Sequence, residues 1–180
     1  MQRVVYAMNG MMTGNQSGSN VTVSGYKDTG NEPMPDLDNA SAGFFSAMKI
    51  PLIAGREFND RDTLASPKVA IVDQKFVNLY FGGDAQKALR SQFGFGSGNV
   101  KTDIQIVGVI PSISAVRLSD PASRPFIYLP YAQSFSKDGK AKGSHPASFY
   151  VLTGSDSAAL AGTLNALLHR LDPRSAAAQL

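Results

Sequence analysis

The stretch PKVAIVDQKFVNLYFGG, Pro67 to Gly83, constrains the fold of this chain more than any other. Lys68 to Val72 is a short apolar run rich in β-branched residues, the composition of a strand. Asp73 follows at once, placed so that its carboxylate can accept the free N–H groups opening a helix over Gln74 to Phe81. Gly82 and Gly83 then end that helix. A strand joined directly to a short helix excludes an all-helical bundle and an all-β sandwich for this region.

The rest of the chain reads in similarly short pieces. Arg3 to Met8 and Val21 to Tyr26 have β-favouring composition, separated by a Gly/Asn/Ser loop, Asn9 to Asn20. Lys27 to Asp38 is polar, contains Pro33 and Pro35, and reads as a surface loop. Phe44, Phe45 and Met48 share one face of a helix expected over Ala40 to Lys49, which Pro51 ends by disfavouring helical backbone at Ile50. Gly55 suits a turn before Arg56. Phe93 to Val100 reads as a glycine-rich turn, and Ile104 to Ile110 as a central strand. Asp120 to Pro125 reads as another turn, Phe126 to Leu129 as a strand, Ser134 to Pro146 as an exposed loop, and Ser148 to Thr153 as a strand. Leu160, Leu164, Leu167, Leu168 and Leu171 recur at helical spacing between a Ser155 or Asp156 cap and Asp172-Pro173. Strands and helices alternate without long helical blocks, so the fold class is α+β.

Composition narrows the function. The 180 residues carry a formal charge of only +3, and their Lys and Arg are spread singly rather than in the basic stripe of a nucleic-acid binder. Cysteine is absent, which excludes disulfides, thiolate metal sites and thiol catalysis together. No stretch approaches the roughly 18 apolar residues of a membrane span. The N-terminus has no apolar signal-peptide core.

Candidate chemical motifs fail on their surroundings. Gly94 to Gly98 lacks the following helix of a phosphate loop, so a hairpin connection is expected. Phe93 to Phe95 departs from the RNA-binding aromatic signature, because Gln92 stands where a glycine is required. His145 and His169 have no partners at metal-ligand spacing, and no metal site is expected. Asp36 to Asn39 opens like a calcium loop but lacks its sixth-position glycine and its closing glutamate. Asp60 and Asp62 read as capping residues rather than an acid/base pair. No serine sits in a nucleophile elbow. Phe44, Phe45, Phe76, Tyr80 and Phe81 either line an apolar pocket or simply pack the core.

Seven short motifs stand in a fixed order: Gly43-Phe44-Phe45, the turn Gly55-Arg56-Glu57-Phe58 with Asp62 after it, Val69 to Asp73, Tyr80 to Gly83, Ile106 to Ile110, Tyr128 to Gln133, and Leu171 to Pro173. In that order they resemble the MacB-like periplasmic core domain, the extracytoplasmic module of ABC-transporter permeases of the MacB and FtsX kind. The resemblance implies a mixed sheet with packed helices, a porter-like lobe built from residues 1–50 and 147–180, and an inserted, smaller β-rich, Sabre-like lobe over 51–146. It implies structural roles for Gly55, Arg56, Phe58, Asp62, Gly82, Gly83, Gly108 and Pro130. Gly55 permits a turn, Phe58 anchors it, Arg56 pairs with a carboxylate or caps carbonyls, and Pro130 ends an edge strand. Lys87 to Ser91 replaces the family's proline-leucine-glycine turn.

The implied function is a non-catalytic periplasmic domain of a bacterial inner-membrane permease, without cofactor, that transmits ATP-driven movement to a cargo or partner. Its implied partners are the transmembrane helices of the same permease, a cognate cytoplasmic ATPase and a second permease in a homodimer, with no nucleic acid. A periplasmic domain without an export signal is expected to be a piece of a longer chain, with Met1 supplied for expression. The alternative is a periplasmic ligand-binding module for a hydrophobic small molecule or lipid, using the five aromatic residues.

Overall fold

The computed structural model describes residues 3–9, 17–113, 124–134 and 148–152, together with Gly162, Ala166 and Arg170. The chain divides into two compact units, Val5–Tyr150 and a smaller one formed by Met1–Val4 with Val151–Leu180. In the smaller unit Gly162, Ala166 and Arg170 are helical and exposed. The leucine stripe, both histidines, the turn at 120 and most of the 134–146 loop lie outside the described residues.

In chain order the elements are β1 (Arg3–Ala7), β2 (Ser17–Gly18), β3 (Val21–Val23), β4 (Asp36–Ala40), α1 (Phe44–Ala47), β5 (Ala54–Gly55), β6 (Val69–Asp73), α2 (Gln74–Phe81), α3 (Ala85–Leu89), β7 (Gln92–Phe95), β8 (Ile104–Ile110), β9 (Phe126–Pro130), a 3-10 turn (Tyr131–Gln133) and β10 (Ser148–Leu152). They build one mixed sheet in the order β10-β1-β4-β9-β6-β8-β7-β3, with β2 also on β4 and β5 also on β8. β4 runs parallel to β9, and β6 parallel to β8, while β6 and β9 are antiparallel. The strands β6, β8 and β9, which fall between residues 51 and 146, therefore share a sheet with β1 and β4.

Every residue of β6 and β9 is buried, as central strands covered on both faces require. On one face Ala70, Val72, Ile106, Val109, Ile127 and Leu129 join Phe76, Val77, Tyr80 and Phe81 of α2. Alternation turns Ile71 and Tyr128 to the other face, where Tyr128 meets Phe45 edge-on at 5.0 Å.

Local signals decide β6 and α2. The Asp73 carboxylate accepts from Phe76 N at 2.9 Å, and Gly82 closes the helix in the left-handed region, at φ 62°. The turn expected over Phe93 to Val100 is part strand: Gln92–Phe95 pairs antiparallel with β8, giving the expected hairpin. Lys87 and its neighbours form the short helix α3, capped by Asp84.

Two expectations are corrected. Asp36–Ala40 is a strand inside the sheet, not a loop running into a helix, and α1 is confined to Phe44–Ala47. Its polar sequence, DLDNA, disguises it, because β-propensity yields to pairing on both sides. Pro130 does not end an edge strand, since β9 lies between β4 and β6. It occupies the last position of that central strand, where a missing N–H costs the ladder little.

Candidate functional site

The turn around Gly55 is a docking joint between β5 and β8. The parallel register of β6 and β8 slips at Ala70/Ile71, leaving Val107 as an extra residue, a β-bulge. At that bulge Arg56 N donates to the Val107 carbonyl at 2.8 Å, and Ile53 N donates to Val109 O at 2.8 Å. Gly55 has φ 80°, and a Cβ there would collide with the Val107 carbonyl oxygen and lie 3.0 Å from Gly108 Cα. A Cβ on Gly108 would lie 2.5 Å from the Arg56 carbonyl oxygen. Two backbones approach so closely here that neither position accepts a side chain.

Arg56 and Asp62 lock the turn. Nη1 donates to Oδ2 at 2.8 Å and Nη2 to Oδ1 at 2.7 Å, a bidentate pair. Asn59 N also donates to Asp62, Arg56 donates to Glu57 O, and Phe58 is buried beneath. Glu57 in turn accepts from the Ser46 backbone and hydroxyl of α1. Burial pushes the Asp62 carboxyl up, but the hydrogen bonds from Arg56 and Asn59 outweigh it and hold Asp62 below the usual carboxylate range.

A depressed folded-state pKa contributes stability that is fully present above the unfolded value of roughly 3.9, and that stability is lost as pH falls through the folded value. Acid unfolding of Asp62→Asn is therefore expected to show a shallower fall in stability below about pH 4 than the wild type. Urea midpoints measured from pH 6 to pH 2.5 check this; parallel curves for the two proteins would refute it.

Two further residues tie distant segments together, and sequence reasoning reached only part of this. Asp73 is more than a helix cap. Oδ1 also accepts from Phe126 N at 3.0 Å, and Oδ2 from the Ser112 hydroxyl at 2.6 Å, joining α2, β9 and the segment after β8. Gln133 is wholly buried; its Oε1 accepts from Val69 N, and its Nε2 donates to Thr63 O, Ser66 Oγ and Pro67 O. It lies in the motif Tyr128 to Gln133, yet nothing local to that motif reveals that it anchors the start of β6. Gln133→Leu, which keeps the volume and removes the amide, orphans these groups and is expected to cost about 3 kcal/mol. Equilibrium urea unfolding measures this, and a loss under about 1 kcal/mol would contradict the assignment.

Buried carboxylates concentrate on β4. Asp38 accepts from Asn9 N and Asn39 N at 2.9 and 2.7 Å, and burial pushes its pKa up against those hydrogen bonds. Beside it in register lies Tyr128, whose hydroxyl is buried with no hydrogen-bond partner among the described residues. Burial first, then Asp38, push that hydroxyl up.

The five aromatic residues do not converge on one cavity. Phe76, Tyr80 and Phe81 belong to the core under α2, with Phe76 4.6 Å from Tyr80 between ring centroids. Phe44 and Phe45 pack edge-on to each other, with Phe45 against Phe58 and Tyr128. Phe44, Phe45 and Phe76 have no exposed surface. Among the described residues no three His, Cys, Asp or Glu side chains are grouped to hold a metal ion. No helix among them is long and apolar enough to cross a membrane.

Residues 3–167 match the family model of the MacB-like periplasmic core domain. Since this spans most of the chain, the protein belongs to that family, the periplasmic domains of MacB-like ABC-transporter permeases. The fold agrees with three solved structures. The periplasmic region of MacB from Actinobacillus actinomycetemcomitans superimposes with a TM-score of 0.66 at 18% identity, covering 95% of this chain and 67% of that one. The extracellular domain of the noncanonic ABC-type transporter YknZ from Gram-positive bacteria gives 0.62 at 15% identity, covering 96% and 77%. A domain of a putative permease protein from Porphyromonas gingivalis gives 0.57 at 15% identity, covering 93% and 69%. A comparison with curated proteins finds no significant match.

Proposed function

We propose that this periplasmic domain is a non-catalytic lever: it transmits movement of its permease's membrane helices, driven by a cytoplasmic ATPase, to a cargo or partner outside the membrane. The observation that carries the reading is the combination of family membership with one continuous sheet in which the first and last strands, β1 and β10, are neighbours. A sheet whose first and last described strands lie side by side suits insertion between consecutive membrane spans. Both faces of the central strands are packed, the Arg56–Asp62 pair locks the turn at the bulge, and Asp73 cross-ties segments far apart in sequence, so the unit suits transmission of force without internal yielding. The working state is a permease homodimer, with two copies of this domain approaching and separating.

The test uses the full permease with its ATPase in lipid nanodiscs. The domain contains no cysteine, so in a permease whose other cysteines are replaced, a single Asn99→Cys substitution on the exposed β7–β8 turn accepts one spin label per copy. The distance distribution between the two labels is expected to shift between the nucleotide-free and ATP-trapped states. Identical distributions in both states, with ATP hydrolysis intact, would overturn the lever reading.

A further inference from the structure

One face of the sheet buries three carboxyl groups. Asp36 and Asp38 stand on β4 and Asp73 ends β6, at 4%, 5% and 3% exposure. Asp36 lies 3.7 Å from the half-exposed Arg124, and Asp73 accepts three hydrogen bonds. Asp38 is less well provided among the described residues. Its Oδ1 accepts from Asn9 N and Asn39 N, its Oδ2 accepts from none of them, and no cation pairs with it. A carboxylate taken out of water in this way is costly unless it is paired or takes up a proton.

Tyr128 is the independent observation. It is the register partner of Asp38 on the neighbouring strand, so the two side chains share a face. Tyr128 is only 2% exposed, and its hydroxyl has no hydrogen-bond partner among the described residues. A phenol donates strongly to a neighbouring anion, yet here the carboxylate and the hydroxyl have not closed on each other. A proton on Oδ2 would leave both N–H bonds to Oδ1 in place and offer the Tyr128 oxygen a donor. Burial points the same way: it pushes the Asp38 carboxyl up, outweighing the backbone N–H groups of Asn9, Asn39 and Met8. The other titratable groups on this face are Asp36, with Arg124 beside it, and Asp73 and Tyr150, which both act on Tyr128. On β1, Tyr6 packs on Tyr131, and Arg3 is exposed at the far end of the strand from Asn9.

We propose that Asp38 is a proton-binding switch: it takes up a proton on Oδ2 as the surroundings acidify, with the Tyr128 oxygen as its acceptor, and so tightens the seam between β1 and β4. That seam consists of Met8 N donating to Asn39 O, Asn9 N to Asp38 Oδ1, and Asn9 Nδ2 to Leu37 O. The sign follows from the raised folded-state pKa of Asp38. The cost of the buried charge is fully present above that folded value, and it falls away as pH drops from there to the unfolded value of about 3.9. This is opposite to Asp62, whose contribution is lost in acid. Family membership places the domain outside the cytoplasm, where the surroundings rather than the cell interior set the pH. The inference goes beyond the lever reading and does not depend on it.

The carboxyl carbons of the isotopically labelled 180-residue chain are followed by NMR from neutral pH into acid. Asp38→Asn removes one resonance and so identifies it. Should that variant not fold, sequential assignment through the backbone identifies the resonance in the wild type. Its midpoint is expected above the ordinary aspartate value of about 3.9. Urea unfolding of the wild type and of Asp38→Asn over the same range gives the second measurement. The wild-type folding constant should gain on that of the variant as pH falls, with a slope approaching about tenfold per pH unit, the signature of one extra proton held by the folded state. Tyr128→Phe removes the acceptor and should lower the Asp38 midpoint. A midpoint raised by Tyr128→Phe would show the hydroxyl serving the anion instead and would overturn the proposal. So would a wild-type midpoint at or below about 3.9, or the same pH dependence of stability with and without Asp38.

Discussion

Asp73→Ala is expected to cost about 3–5 kcal/mol, a large fraction of the 5–15 kcal/mol that holds a typical domain together. The loss has three sources. The helix α2 loses its N-cap, worth about 0.5–2 kcal/mol. The buried Phe126 N–H, at the first residue of β9, is left without its acceptor, and the Ser112 hydroxyl loses its short hydrogen bond. Asp73→Asn retains an oxygen that can still accept from both N–H groups, so it should cost only about 1 kcal/mol. The contrast separates hydrogen-bond geometry from charge. Urea unfolding of both variants, followed by circular dichroism, measures it. Equal losses in the two variants would show that the carboxylate acts through charge rather than through the acceptor geometry assigned to it.

Gly55→Ala should cost about 3 kcal/mol, and Gly25→Ala only about 1. Both glycines have left-handed backbone, at φ 80° and 76°, so a side chain meets similar local strain at each. They differ in surroundings: a Cβ on Gly25 meets nothing within 4 Å, whereas one on Gly55 runs into the β8 backbone at its bulge. Because the obstacle is a strand carbonyl rather than a flexible side chain, relief requires β5 to lift from β8. Gly108→Ala presses on the same joint from the other strand and should cost a similar amount. Thermal unfolding of the three variants provides the comparison. A Gly55→Ala protein no less stable than Gly25→Ala would remove the tight approach as the reason for glycine at this position. If the lever reading holds, the weakened joint should also impair coupling in the full permease before it impairs folding.

What could be read without coordinates follows from the range of the forces involved. The helix α2 was legible to the residue, because its cap, its apolar face and its glycine stop all act within one or two turns. β8 was legible because five of its seven residues are Ile or Val, which leaves little alternative. The family resemblance left Arg56 to pair with a carboxylate or to cap carbonyls; that it does both, and that the carboxylate is Asp62, emerges from the way the turn folds back. β4 was not legible. DLDNA carries the composition of a loop, and it becomes a strand because β9 pairs with it on one side while β1 and β2 pair on the other. The cost of burying Asp38 is offset by backbone N–H groups of Asn9 and Asn39, a compensation with no signature in the linear chain.

Glycine, proline, cap and apolar run are local instructions, so the order of residues was enough to establish the α+β class, the strand–helix unit at Pro67 to Gly83 and the family resemblance. The sheet order, the bulge that receives Gly55 and the anchoring by Gln133 all depend on segments remote along the chain. Contacts of that kind arise from packing and hydrogen-bond satisfaction in three dimensions, and no spacing along the backbone encodes them.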